Sequence, residues 1–257
     1  MRVSIIIPAY NEEEAIGRIL EEYCSYLRKQ RAGFEVLVVI NNTNDGTERI
    51  IKEYQKKYPE IRYLNLREGG KGFAIIEGFK DALKRKNNDL IGFVDADLST
   101  SAKEYYKLIR QLGSYEGIIA SRWLKGAKQN YSFTRKVTSR GFNFIVRSLF
   151  LFPYRDTQCG AKVFKRHAIE SIAEEIKITR WAFDVELLYR IRKKNYRVKE
   201  IPTCWEEKLR KSKLDLRIVP LQMFSAMVRL RLLNSPFKFV VRFYDKMPES
   251  LKIHHRR

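Results

Sequence analysis

Apolar and polar positions are arranged in blocks that repeat four times within the first 95 residues. Residues 3–7 form a short continuous apolar run ended by Pro8, which predicts a buried parallel strand. Asn11 then precedes Glu12, Glu13 and Glu14, the pattern of a helix start with acids in its first turn. Ala15, Ile16, Ile19, Leu20, Tyr23 and Leu27 follow at helical spacing, with Cys24 as core filler at the edge of that face. Residues 34–40 predict a second buried strand, 41–47 a polar loop and 47–57 a helix. A third strand at 61–66 and a helix at 70–84 come next. The fourth strand, 89–94, runs into Asp95-Ala96-Asp97.

Beyond residue 100 the alternation loosens. Helices are predicted at 101–111, 133–151 and 181–193, and strands at 116–120, 159–164 and 196–201. The end of the chain differs again. Residues 216–233 and 237–244 read as apolar helices studded with Arg217, Arg229, Arg231, Lys238 and Arg242, after a basic loop at 208–213. Basic amphipathic helices suit a membrane surface, and packing on the body of the domain or a dimer contact is the alternative.

Four alternations of strand and helix predict an α/β fold with a mostly parallel central sheet between helices. In such sheets ligands bind outside the carboxyl ends of the strands. Pro8-Ala9-Tyr10, the polar loop, residues 67–71 and Asp95-Ala96-Asp97 all follow strands and therefore belong on one rim. Residues i and i+2 of a strand point to the same side, about 6.6 Å apart. Asp95 and Asp97 can thus share one hard cation, which takes oxygen ligands. In isolation, such a pair reads first as a solvated, inert Asp turn, and only its place on the rim favours the cation.

Composition narrows the class. The 257-residue chain is 44% hydrophobic, enough for a real core, and carries a formal net charge of +21, which favours anionic partners. The basic excess is uneven: residues 117–155 hold eight Lys or Arg and no Asp or Glu. Cys24, Cys159 and Cys204 are isolated and odd in number, which argues against a disulfide framework or structural zinc and for a reducing compartment. No secretory signal and no membrane-spanning helix are expected.

With the rim assembled, the sequence resembles family 2 glycosyltransferases of the GT-A fold over roughly residues 1–215. The resemblance rests on Ile7-Pro8-Ala9-Tyr10-Asn11-Glu12, Asp45-Gly46-Thr47, Gly70-Lys71-Gly72 and Asp95-Ala96-Asp97. Further on, Ser121-Arg122, Asp156-Thr157-Gln158-Cys159-Gly160-Ala161-Lys162, Trp181-Ala182-Phe183-Asp184-Val185-Glu186 and Ser212-Lys213 resemble the dolichyl (polyprenyl) phosphate glycosyltransferases, the glucosyltransferase type above all. The resemblance implies a catalytic domain at 1–215, and the basic amphipathic pattern of 216–257 makes that segment the expected membrane-surface attachment. It also implies inverting transfer of one hexose from a nucleotide sugar, UDP-glucose foremost, to dolichyl or polyprenyl phosphate at the cytoplasmic face of a membrane.

What the resemblance implies for residues follows the same motifs. Pro8, Ala9, Tyr10, Glu12, Asn41, Lys71, Gly72, Asp95 and Asp97 would bind the donor. Where the family usually carries paired aspartates this chain has Ile40 and Asn41, and Asn both donates and accepts, so base preference does not carry over. Asp95 and Asp97 would hold Mg²⁺ or Mn²⁺, whereas Ser99 stands where some relatives carry a further ligand, Gln. Arg122, Arg135 and Ser139 are the acceptor-phosphate candidates; Arg matches phosphate with a fork of donors, and positions 135 and 139 share a helix face. Asp97 and Asp184 are the catalytic candidates. Asp184 stands where inverting relatives place a base, Asp156 and Gln158 would shape the acceptor loop, and Glu186 should face elsewhere. GDP-mannose as donor, a polysaccharide hydroxyl as acceptor, and a basic nucleic-acid-binding protein are the competing readings. The last fits poorly with paired aspartates that would repel a phosphate backbone.

Overall fold

The computed structural model describes residues 1–130, 133–178, 182–206, 219–239 and 241, with side chains described at all of these except 133–135, 137 and 219–222. The side chain of Arg135, and Trp181, Ser212, Lys213, Arg217, Arg242, Tyr244 and the basic loop at 208–213, lie outside the described residues.

In chain order the first half contains β1 (Arg2–Ala9), α1 (Ile16–Lys29), β2 (Gly33–Asn41), α2 (Thr47–Lys57), β3 (Ile61–Leu66), α3 (Lys71–Lys84), β4 (Leu90–Val94) and α4 (Ala102–Arg110). The second half contains β5 (Gly117–Ser121), β6 (Lys128–Gln129), α5 (Phe133–Phe150), β7 (Ala161–Lys165), α6 (Arg166–Glu170), α7 (Phe183–Lys193), β8 (Val198–Pro202), β9 (Cys204–Trp205) and α8 (Val219–Leu233). Seven strands form one sheet in the order β3-β2-β1-β4-β7-β5-β8, and β6 pairs with β9 beside it. The ladders are parallel except at β7, which runs antiparallel to both β4 and β5. Two reversals restore the direction, so β5 ends on the same rim as β1 to β4.

Each sheet face has its own core. Ile5, Ile7, Val36 and Val38 point towards α1, α2 and α4 with Ile16, Ile19 and Tyr105. Ile6, Leu37, Ile91 and Phe93 point to the other face, against Phe79, Phe183 and Leu187. This alternation within continuously apolar strands is the period of two expected of a sheet covered on both sides. Met227 and Leu230 of α8 join the second core, so that helix is seated on the sheet-and-helix body by one face.

Three local expectations are corrected. The first strand does not stop at Pro8 but runs through Ala9, because β1 pairs with β4 only as far as Ile6↔Phe93. At Pro8 it has one neighbour instead of two, and the missing N–H is not needed there. The first helix starts at Ile16, with no acid in its first turn. Asn11 adopts a left-handed φ of 51°, and its Oδ1 accepts from the Asn44 N–H instead of capping a helix. Glu13 likewise serves another element, accepting from the Gly46 N–H at 2.8 Å at the start of α2. The short α6, β6 and β9 had no counterpart in the periodic pattern.

Candidate active site

The rim is assembled by backbone. Parallel pairing of β3, β2, β1 and β4 brings residues 9–12, 41–47, 67–72 and 95–99 together at one sheet edge. Cross-links between these loops hold them: Thr43 Oγ1 accepts from Asn11 N (3.3 Å), Thr47 Oγ1 from Glu12 N (2.9 Å), and Asn41 Oδ1 from Gly70 N (3.5 Å). Glu12 also accepts two backbone bonds, from Ala15 and Ile16, so it anchors the loop while its side chain stays half-exposed. Tyr10 is an exposed aromatic on this rim, whereas Pro8, Ala9, Asn41 and Gly72 are buried and shape its floor.

Gly70 has φ 138°, a region open to glycine, and it turns the chain from β3 into α3. The turn puts Lys71 at the helix start, with Nζ 2.6 Å from Asp95 Oδ1. Asp97 lies in the turn after β4, where its Oδ1 accepts from Ser99 N at 2.9 Å. The Asp97–Thr100 turn is held in turn by Ser99 O accepting from Glu206 N (3.1 Å) and by the Thr100↔Trp205 bridge. Burial raises the Asp95 carboxyl above its ordinary range, and the nearby Asp97 and Asp184 add to this against the opposing Lys71. Burial works against the Lys71 ammonium, but Asp95 and Asp184 outweigh it and raise its pKa.

The donor set fits a hard divalent ion. It is all oxygen, and Oδ2 of each carboxylate makes no hydrogen bond among the described residues. Gly160 leaves room for this arrangement: a Cβ there would lie 1.9 Å from Asp95 Oδ2. No cluster of three or more His, Cys, Asp or Glu able to hold a metal occurs among the described residues. Two carboxylates are enough for a Mg²⁺-type site, which substrate phosphates and water would complete. Lys71 already neutralises the acid pair as a cation would.

Asp184 opens α7, and Phe183 beside it packs against Phe93 of β4 with ring centroids 6.0 Å apart. This contact holds the start of α7 under the end of β4. The Asp184 carboxylate is engaged by Lys162, whose ammonium also donates to the Cys159 carbonyl at 2.7 Å. Lys162 is 0% exposed, the second residue of the inner strand β7. A buried ammonium requires a partner, and Asp184 is that partner. Sequence reasoning assigned Lys162 no role; its signal was a lysine within the apolar run Ala161-Lys162-Val163-Phe164. Glu186 does face elsewhere: it is buried, and its Oε2 accepts from Lys177 N and Ile178 N.

On the other side of the rim, Arg122 follows β5. Its Nε and Nη2 donate to Asp156 Oδ2 (2.7 Å) and Oδ1 (2.9 Å), and its backbone N–H donates to Oδ2. Burial works to raise the Asp156 carboxyl, but the Arg122 charge and these bonds hold it below its ordinary value. Glu200 of β8 accepts from the backbone N–H groups of Arg155 and Asp156, both at 2.7 Å, and burial raises its own pKa. Asn143 of α5 accepts from Thr157 N and Oγ1 at 3.1 Å and donates to the Ser139 carbonyl. Ser139 is therefore one turn from the loop that holds Arg122. Asp95 N donates to Gly160 O at 3.1 Å, so residues 156–160 run from Arg122 to the carboxylate pair.

The sequence model of Glycosyl transferase family 2 matches residues 4–173. The chain belongs to this family. Among relatives of this transferase, the dolichyl-phosphate beta-glucosyltransferase of Drosophila melanogaster is 35% identical over 224 residues, 80% of this chain and 68% of that one. The Homo sapiens protein of the same name is 32% identical over 224 residues, again 80% and 68% of the two chains. The fold is GT-A. Glucosyl-3-phosphoglycerate synthase from Mycobacterium tuberculosis, solved with Mn²⁺, UDP and phosphoglyceric acid, superposes with a TM-score of 0.67 at 17% identity, covering 89% of this chain and 78% of that chain. The same synthase with Mn²⁺ and UDP-glucose gives 0.66 at 15% identity, covering 89% and 78%.

Proposed function

We propose that this glycosyltransferase moves a single glucosyl unit, with inversion, from UDP-glucose to dolichyl or polyprenyl phosphate. The observation that carries the reading is the division of the rim. Lys71, Asp95, Asp97 and Asp184 gather at the end of β4, and residues 156–160 link them to Arg122 at the head of the acid-free stretch. The relatives named dolichyl-phosphate beta-glucosyltransferase support the same substrates.

Asp95 and Asp97 would hold Mg²⁺ or Mn²⁺, which neutralises charge on the departing diphosphate. Lys71 adds a second positive charge at the start of α3, where helix N–H groups favour phosphate. Pro8, Ala9, Tyr10, Glu12, Asn41 and Gly72 frame the nucleotide side. Arg122, steered by Asp156, would meet the acceptor phosphate together with Arg135 and Ser139. A phosphate monoester has a second pKa of about 6, so the acceptor oxygen is charged at neutral pH and attacks the anomeric carbon without a base. The new C–O bond forms as the bond to the diphosphate breaks, and inversion follows from in-line displacement. Asp184, tied to Lys162, then serves charge balance and orientation, which disfavours a hydroxyl acceptor that needs a base.

Residues 216–257 would attach the enzyme peripherally to the cytoplasmic membrane surface. No helix among the described residues is long and apolar enough to cross a membrane. The test is a panel of nucleotide sugars with Mg²⁺ or Mn²⁺ and polyprenyl phosphate, read by product mass. UDP-glucose should give a glucosyl lipid phosphate, and Asp97→Ala should lose on the order of a hundredfold or more in turnover. Wild-type turnover by Asp97→Ala in metal-containing buffer would refute the mechanism. A mannosyl product from GDP-mannose alone would refute the choice of sugar.

A further inference from the structure

We infer that the cleft between α5 and residue 155 is a headgroup site for an anionic phospholipid, by which the α5–α8 face rests on a negatively charged bilayer. The cleft is about 460 Å³ and is lined by Trp123, Arg140, Asn143, Phe144, Arg147 and Arg155. Its lining includes none of the rim carboxylates and neither member of the Arg122–Asp156 pair, although Trp123 and Arg155 adjoin that pair in sequence, and it extends the membrane-surface reading above from the C-terminal segment to α5.

Three observations meet there. First, Arg140, Arg147 and Arg155 form no ion pair among the described residues, whereas Arg28, Arg49, Arg62, Arg122 and Arg190 each have a carboxylate partner. Three uncompensated guanidinium groups around one cleft repel each other until an anion enters. Second, the cleft is built: the Arg140 guanidinium lies 4.9 Å from the Trp123 ring centroid, Asn143 is fixed by Thr157, and the backbone of Arg155 is held by Glu200. Planar guanidinium forks match phosphate oxygens.

Third, the apolar surroundings choose the source of that phosphate. Of the nine exposed large hydrophobic side chains described, seven lie on α5 and its end (Phe144, Ile145, Leu151) or on α8 and just beyond (Phe224, Leu233, Phe237, Phe239). Phe144 is 69% exposed and Leu151 72%, beside the arginines. A soluble phosphate compound needs no such flank, and a nucleic acid has nothing to receive Ile145 and Leu151. A bilayer presents phosphodiesters at its surface and hydrocarbon just beneath. Residues 133–155 and 219–241 contain no acid, so neither of these segments adds a repelling charge.

The test uses the full chain and vesicles of phosphatidylcholine, with or without phosphatidylglycerol, read by flotation without sugar donor or polyprenyl phosphate. The outcome is thus independent of the transferase reading. Each basic residue near an anionic surface is worth roughly a fivefold change in partition, so R140Q/R147Q/R155Q should bind anionic vesicles at least about tenfold more weakly. A charge-matched control, K29Q/K56Q/K86Q, removes three exposed lysines elsewhere and should lose much less. F144S/L151S should also weaken binding. Equal losses in the two charge triples would overturn the site and leave only diffuse attraction. Unchanged binding by F144S/L151S would overturn seating in the bilayer, and displacement by millimolar inorganic phosphate at constant ionic strength would assign the cleft to a soluble anion. Binding to RNA that the arginine triple abolishes, without binding to vesicles, would overturn it in favour of nucleic acid.

Discussion

Replacing Lys162 by Met tests the pairing at the centre of the site. Met keeps most of the aliphatic stem and removes the ammonium. Lys162 is fully enclosed, and its Asp184 partner is 6% exposed, so the remaining carboxylate has little water to turn to. Breaking a buried pair by removing one partner costs about 3–5 kcal/mol. Lys162 also donates to the Cys159 carbonyl and sits 5.2 Å from the Phe93 ring centroid, which places the loss in the upper part of that range. With about 4–5 kcal/mol lost and roughly 2–4 °C per kcal/mol for a chain of this size, the melting temperature should fall by about 8–20 °C. Urea unfolding and calorimetry of Lys162→Met, Asp184→Leu and the double variant measure it. Replacing both charges by apolar groups leaves no buried ion, so the double variant should recover to within about 2 kcal/mol of wild type. A Lys162→Met variant within 1 kcal/mol of wild type on the same linkage scale, or a double variant no better than the worse single, would sink the argument.

Three other outcomes follow from the site. Lys71→Gln frees Asp95 from its cation, so it should bind Mn²⁺ more tightly without nucleotide, by titration calorimetry, while KM for the nucleotide sugar rises; weaker Mn²⁺ binding would contradict the Lys71–Asp95 pairing. Asp156→Asn should cost about 3 kcal/mol at neutral pH by removing the buried carboxylate charge that the nearly buried Arg122 guanidinium meets. The Asp156 carboxyl is depressed in the folded state, so its contribution is full above the unfolded value of about 3.9 and is lost as pH falls through the lower folded value; the gap between wild type and variant should therefore close in acid. Burial pushes the Cys24 and Cys159 thiols up to about 12, so a thiol reagent at mildly alkaline pH should modify the half-buried Cys204 in the native protein and reach the other two only on unfolding.

Much of this protein is legible in one dimension because its first half is local. Each strand and helix from β1 to β4 declares itself by an apolar run or a helical repeat. Parallel pairing then obliges the loops after those strands to share a rim. Topology alone therefore puts Asp95-Ala96-Asp97 and Gly70-Lys71-Gly72 on one rim, and Lys71 does reach Asp95. The direction of β7 was not legible, since its five residues read the same either way. A long excursion through α5 returns the chain antiparallel between β4 and β5. That insertion brings Lys162 from one strand to Asp184 on a distant helix, turning a catalytic-base candidate into half of a buried ion pair. It likewise commits the fork of Arg122 to Asp156, 34 residues away. Periodicity reports which face of an element is buried, because each residue meets the solvent or the core alone. Which charge neutralises which depends on distances that exist only after the sheet has closed, and there the tertiary structure decided.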